Sequence, residues 1–265
     1  MDLKILCTKV KDIARETGDF IRKESLSFTS DKVEAKGLHN YVSYVDKKAE
    51  TMLVSQLGKL LPGAGFIAEE GTGEKNNKGL NWIIDPLDGT TNFIHGLPPF
   101  SVSIALINDN RVILGVVYEI NLNECFYSWE GASAYLNGKE INVSDAQSVK
   151  DSLIATGFPY TDFYRMAPFL ESFEYFMRNS HGLRRLGSAA VDLSYVACGR
   201  FDAFYEYGLN SWDVAAGAFI VSRAGGRVSD FKGGDDYLYG GELVAANDTI
   251  FPGFLSTVKK FMNPG

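Results

Sequence analysis

A mixed helix-and-sheet fold with two unlike halves is what the 265 residues predict, and three patterns predict it. Leu3, Leu6, Val10, Ile13, Thr17 and Ile21 recur at spacings of three and four, the signature of an amphipathic opening helix. From about Phe66 to Ile141, short apolar runs follow one another across tight turns, which implies an antiparallel sheet. Beyond about residue 150, strands and helices alternate in the rhythm of an α/β half.

Taken in order, the polar, glycine-containing stretch 24–45 reads as a loop or hairpin after the first helix. Asp46 reads as the N-cap of a second helix that carries Ala49, Met52, Leu53, Leu57 and Leu60 inward, and Pro62-Gly63 stops it. Phe66-Ile67 and Trp82-Ile83-Ile84 are short apolar strands ending in acids. Ser101–Ile107 and Val112–Tyr118 are joined by the hairpin signal Asn108-Asp109-Asn110, and Asn137-Gly138 marks a second hairpin. The later half is expected to run as strand Leu153–Thr156, helix around Pro168–Arg178, strand Leu183–Leu186 and helix Ser188–Ala197. Strand Ala203–Tyr207, helix Val214–Arg223, strands Arg227–Ser229 and Leu243–Ala245 and a last helix follow. No repeat, low-complexity linker or proline-rich hinge divides the chain. Residues 1–150 and 151–265 are therefore expected to pack as one unit, with the site where they meet.

Composition narrows the function classes. The net charge of −7 argues against non-specific binding to nucleic acid or anionic membranes, which needs basic patches. Cys7, Cys125 and Cys198 are odd in number and lack any CxxC pairing, so they read as reduced thiols. The N-terminus has no apolar signal core, and the longest apolar stretch, near Val102–Ile107, is far too short to span a bilayer. A cytoplasmic globule is expected.

The chemistry concentrates in Trp82-Ile83-Ile84-Asp85-Pro86-Leu87-Asp88-Gly89-Thr90-Thr91-Asn92. An apolar strand runs into Asp85. Pro86, which has no N–H to donate, is expected to end strand pairing. Asp88-Gly89 is a turn pair, and Thr90 or Thr91 can cap a short helix. Two carboxylates three residues apart on such a turn can converge on one point, beside helix N–H groups that suit an anion. Oxygen ligands plus an anion cradle suit Mg²⁺ and a phosphate; a solvated turn with a cap is the plainer reading. Two further acids favour the metal. Glu69 ends the strand Phe66-Ile67-Ala68 as Asp85 ends its own, and Asp213 in Trp212-Asp213-Val214-Ala215-Ala216 opens an apolar helix, where a simple N-cap is the alternative. So many carboxylates in one pocket would repel each other and a phosphate, and bound divalent cations reverse that field.

With Glu69-Glu70, Asp85-Pro86-Leu87-Asp88-Gly89-Thr90-Thr91 and Trp212-Asp213-Val214-Ala215 in order, the chain resembles the inositol monophosphatase family. The likeness runs from Lys36-Gly37 and Asn40–Asp46 to Ala245-Ala246-Asn247. It implies an alternating α-β-α-β-α sandwich, usually a homodimer, that hydrolyses phosphomonoesters with two to three Mg²⁺ and is sensitive to Li⁺. Carried over, Glu69, Asp85 and the Leu87 carbonyl hold a first metal and Asp85, Asp88 and Asp213 a second, with Glu69 helping to bind a third. Glu69, Thr90 and Asp46 are the catalytic groups, the last two orienting a water. The N–H groups of Gly89 and Thr90 bind phosphate oxygens. Asp88, Gly187, Ser188, Ala189, Glu206 and Asp213 face the substrate, Glu206 on the alcohol side.

The remaining polar residues read more plainly. His39, His95 and His181 lack metal-ligand spacing and are structural. Glu70 is either a support for Glu69 or solvated, Lys36 resembles a family lysine near the site, and Arg184-Arg185 stabilise a dimer or a neighbouring loop. Thr91-Asn92-Phe93 after the DGT turn resembles the inositol phosphate branch, and a carboxylate at Glu206 accepts hydrogen bonds from a polyol hydroxyl pair. Fructose 1,6-bisphosphate is the alternative substrate, followed by an inositol lipid headgroup, which no basic or amphipathic patch supports. A non-catalytic partner-binding relative would have lost a metal ligand, and none is missing. A dinucleotide oxidoreductase would need a GxGxxG after a strand, and there is none.

Overall fold

The computed structural model describes residues 1–28, 33–37, 40–159 and 163–263, with side chains omitted over 33–37 and 40–42. Lys36 and His39 thus lie outside the residues whose side chains are described. Helix α1 (Leu3–Ser25) is capped by Asp2 and buries Leu6, Val10, Ile13, Thr17 and Ile21, the stripe read from the spacing. A short hairpin, β1 (Val33–Gly37) and β2 (Asn40–Ser43), leads into α2 (Tyr44–Leu60). Ser43, not Asp46, is the N-cap of α2. Asp46 stands three residues in and reaches back to the Ser43 amide at 2.8 Å, a reciprocal capping box.

Seven strands then form one sheet in the order β3 (Gly65–Ala68), β4 (Leu80–Asp88), β5 (Ser101–Asn108), β6 (Arg111–Glu119), β7 (Glu124–Trp129), β8 (Ala134–Leu136) and β9 (Lys139–Ile141). The antiparallel expectation holds from β4 onward, but β3 lies parallel to β4, with Ala68 beside Ile84. The loop between β3 and β4 returns the chain to the starting edge, so both strands end on the same side of the sheet. The hairpin turns carry Asp109 at φ 54°, and Asn137 and Gly138 at φ 48° and 86°, the left-handed backbone that Asn, Asp and Gly accommodate.

The second sheet is mixed, in the order β11 (Gly182–Arg184), β10 (Leu153–Thr156), β12 (Ala203–Tyr207), β14 (Glu242–Asn247) and β13 (Gly226–Ser229). Its first three strands run parallel and its last three antiparallel. The helices of this half are α4 (Met166–Asn179), α5 (Ala189–Ala197), α6 (Ser211–Arg223) and α7 (Phe251–Met262), and a five-residue helix α3 (Thr90–Ile94) follows β4.

Alternation along the strands sorts these elements into layers. Trp82, Ile84, Ile104 and Val116 pack against α1 and α2, whereas Ile83, Ala105 and Val117 face α5 and α6. In the second sheet Phe204 and Ala245 face α5 and α6, whereas Tyr205 and Val244 face α4 and α7. The result is the α-β-α-β-α sandwich, with α5 and α6 as its middle layer. Backbones come very close there: a Cβ on Gly115 of β6 would stand 2.9 Å from the carbonyl oxygen of Ala216 in α6. Neither wall is the movable tip of a side chain. Gly115→Ala should therefore cost about 1–3 kcal/mol by overpacking, read as a lower urea midpoint at unchanged slope. A midpoint equal to that of the parent would show that β6 and α6 can separate freely.

Candidate active site

The ends of β3 and β4, the start of α3 and the first turns of α5 and α6 surround one cavity of about 200 Å³. Parallel pairing explains how two of its acids meet. Glu69 follows β3 directly, its amide still bonded to the Ile84 carbonyl at 3.3 Å, so it emerges beside Asp85 at the end of β4.

Pro86 does not end β4. Pairing with β5 runs to Asp85 opposite Ser103, slips by an irregularity and resumes with Asp88 opposite Ser101. The slip carries Pro86 and Leu87 through without a ladder bond that proline could not make. The Leu87 amide instead donates to Asp85 Oδ1 at 2.9 Å. Gly89 then takes φ 98°, and a Cβ there would press to 3.0 Å from the Pro99 carbonyl oxygen, so the glycine of the DGT turn is required twice over. Gly89 occupies the cap position of α3. Thr90 is the first residue of that helix rather than its cap, and its hydroxyl lies 2.9 Å from Asp46 Oδ1 and 3.0 Å from the Leu87 carbonyl oxygen.

Asp213 also proves to stand inside its helix. Asn210 is the cap of α6, and Asp213 Oδ2 accepts from the Asn210 amide at 2.6 Å in a second capping box. Ser188 caps α5, and its hydroxyl donates to Asp88 Oδ2 at 2.5 Å, joined by the Ala190 amide at 2.8 Å. These first-turn donors and the positive end of a helix favour a carboxylate.

Glu69, Asp85, Leu87, Asp88, Gly89, Thr90, Gly187, Ser188, Ala189, Glu206 and Asp213 all border the cavity. Asp46 does not border it and stands one hydrogen bond behind, through Thr90. His95 and His181 are exposed and away from it, and all three cysteines are free thiols. The sequence reading missed Glu50, Gly157, Gly208, Leu209 and Asn210, and gave Arg185 a dimer or loop role rather than a place at the cavity. Glu50 is fully buried and accepts from the Glu70 and Thr72 amides, both at 2.7 Å, so it clamps the turn that presents Glu69. Its position one helical turn after Asp46 was the available signal. The others are brought in by chain reversals with no local signature.

The acids do not form a closed set of ligands as they stand: among the described residues no three converge in a ready metal cage. Each of Asp85, Asp88 and Asp213 gives an oxygen to a protein donor instead. The donor chemistry nevertheless fits a hard divalent cation, since the polar wall is carboxylate and carbonyl oxygen. Burial pushes the Glu69 carboxyl up to about 8, with the charges of Asp213 and Glu70 adding to it. Burial raises Asp213 to about 7 and Asp88 to about 6, the latter held down by Ser188 and Ala190. Asp85 is raised well above the usual range by burial and then by Glu69, Asp88 and Asp213. A site so unfavourable to four charges calls for cations.

The chain matches the inositol monophosphatase family over residues 4–262. It belongs to that family and is a phosphoric monoester hydrolase; the family is generally Mg²⁺-dependent. It is 43% identical over 230 residues to the inositol-1-monophosphatase of Mesorhizobium japonicum, covering 86% of each chain. It is 41% identical over 249 residues to the Nus factor SuhB of Escherichia coli, covering 93% of this chain and 92% of the other. A crystal structure of the extragenic suppressor protein suhB from Bartonella henselae superposes with a TM-score of 0.90 at 36% identity, over 96% of this chain and 98% of that one. No described helix is long and apolar enough to cross a membrane.

Each raised carboxyl binds its proton more tightly folded than unfolded. Its contribution to stability is complete below the unfolded value near 4 and is lost as pH rises through about 6, 7 and 8. The EDTA-treated protein should therefore melt at progressively lower temperature from pH 5 to 8.5. Mg²⁺ should raise the melting temperature more at pH 8 than at pH 6. A Mg²⁺ increment independent of pH would contradict the site.

Proposed function

We propose that the enzyme hydrolyses a phosphorylated polyol, inositol 1-phosphate foremost, as a cytoplasmic homodimer of single-unit protomers. The observation that carries the reading is the gathering of Glu69, Asp85, Asp88 and Asp213 around one cavity that the buried Glu206 also lines. Glu69, Asp85 and the Leu87 carbonyl would hold one Mg²⁺, Asp85, Asp88 and Asp213 a second, and Glu69 would help with a third. When bound, the ions supply Lewis-acid polarisation of the phosphoryl group and a more acidic water for in-line attack.

The chain's own groups do the positioning. The Thr90 hydroxyl has one hydrogen for two acceptors, and the charged Asp46 is the stronger. With that hydrogen committed, the Thr90 oxygen is left to accept from the attacking water and set its direction. The amides of Gly89 and Thr90, at the start of α3, hold phosphate oxygens. Ser188 and Ala190 fix Asp88. Asn92 ties the two rims together, its side-chain amide donating to the Pro99 carbonyl at 2.7 Å and the Leu186 carbonyl at 2.8 Å.

A screen of phosphate release tests the substrate: inositol 1-phosphate should give the highest kcat/KM, above fructose 1,6-bisphosphate, histidinol phosphate and 3′-phosphoadenosine 5′-phosphate. A second reading comes from the relatives named as Nus factors, at 41% identity. Asp85→Asn separates it from catalysis. The variant should lose turnover yet fold in Mg²⁺-free buffer, so a Nus-factor role that survives in it is not catalytic. Full activity in Asp85→Asn would refute the metal assignment.

The orienting role of Thr90 is tested by Thr90→Val, which keeps the branched shape and deletes the oxygen. It should lower kcat on the order of a hundredfold with KM little changed. Asp46→Asn should behave alike, and the double variant should be far less than multiplicatively worse. Near-normal kcat in Thr90→Val would reduce the residue to a structural part of the turn.

A further inference from the structure

Arg185 is the one basic side chain bordering the cavity among the described residues. It stands in the loop between β11 and α5, and Glu206 borders the same cavity. Two glycines make room for this pair. A Cβ on Gly157 would lie 1.8 Å from the Glu206 carboxylate, and one on Gly187 would lie 2.4 Å from Nη1 of Arg185. The guanidinium also covers the ring of Phe158, 5.4 Å from its centroid. Asp192 of α5 is 1% exposed, and its Oδ1 makes no hydrogen bond. A buried carboxylate oxygen without a donor is unfavourable, and the Arg185 charge opposes the rise that burial, Glu206 and Asp88 impose on this carboxyl.

The geometry points to Arg185 as a specificity-determining residue, donor partner to Glu206 in a subsite for a vicinal diol, with Asp192 as the positioning residue that holds the guanidinium in place. The inference rests on the polyol reading above and extends it by a substrate contact and its support. A diol offers two hydroxyl hydrogens and two oxygens. The carboxylate of Glu206 accepts the first, and the planar fork of Arg185 donates to the second. Each group alone satisfies only half of what the diol offers. The charges are coupled in the same sense: burial raises Glu206 to about 8 and Arg185 pulls it down, as it does the raised carboxyl of Asp192. Arg185 thus favours the acceptor form of Glu206 as well as supplying the donors.

The test compares myo-inositol 1-phosphate with cyclohexyl phosphate, which keeps the ring and the phosphate and lacks every other hydroxyl. Arg185→Gln, Arg185→Lys, Asp192→Asn and the Arg185→Gln/Asp192→Asn double variant are made in the full chain and assayed with Mg²⁺ beside melting curves. Arg185→Gln should lower the ratio of the two kcat/KM values by roughly ten- to a hundredfold, chiefly through KM for the inositol ester. Arg185→Lys should fall between it and the parent. Asp192→Asn should lower the ratio several-fold, and the double variant should match Arg185→Gln, because Asp192 acts only through that side chain. Equal losses on both substrates in Arg185→Gln overturn the proposal, as does an unchanged ratio in Arg185→Lys should the glutamine variant fail to fold. A loss from Asp192→Asn that persists without Arg185 overturns the positioning role. A parent enzyme that shows no preference for the inositol ester removes the polyol reading and this inference together. A strong preference untouched by Arg185→Gln removes this inference alone.

Discussion

Mutual repulsion among buried carboxylates is the constraint around which the molecule is organised. Glu69, Asp85, Asp88 and Asp213 come from three separate segments to one cavity, where desolvation and like charge both oppose ionisation. The fold answers with donors fixed in its backbone. Leu87 serves Asp85, Ala190 and Ser188 serve Asp88, and Asn210 serves Asp213. None of these donors is basic, so none of these contacts neutralises a carboxylate by an ion pair. A salt-bridged cluster of the same acids would be more stable alone and would have nothing left to bind with.

The layered architecture makes that placement possible. The parallel pairing of β3 and β4 puts two strand ends side by side, which an all-antiparallel sheet could not do with adjacent strands. The middle helices α5 and α6 both begin at the cavity, so their N-terminal amides and partial positive charge face the acids. Close approach of β6 to α6 at Gly115 ties one of those helices to the first sheet. The acids of the first half and Asp213 of the second thus keep a common frame.

Two groups of side chains share the cavity. Glu69, Asp85, Asp88, Asp213 and Thr90 line the cavity, with Asp46 behind Thr90. Glu206 and Arg185 occupy spaces left by Gly157 and Gly187. Asn92, just after the DGT turn, ties the Pro99 and Leu186 carbonyls together beside the cavity.

What the sequence by itself determined is local and periodic. The α1 stripe, the period-two strands and the turn residues Asp109 and Asn137-Gly138 follow from which side of an element must leave water. The stretch Trp82–Asn92 put Asp85, Asp88 and Thr90 forward because its chemistry lies in eleven contiguous residues. The tertiary structure decided the rest. Local pattern reads Asp46 as a cap, the family resemblance alone joined it to Thr90, and the fold brings the Thr90 hydroxyl, 44 positions on, to its carboxylate. The parallel edge at β3 depends on the course of a loop. The clamp by Glu50 on the turn after Glu69 spans 20 and 22 positions, and Arg185 gains a meaning only beside Glu206 and Asp192. Periodicity records how one element meets solvent, whereas these contacts join elements whose separation along the chain carries no repeating signal.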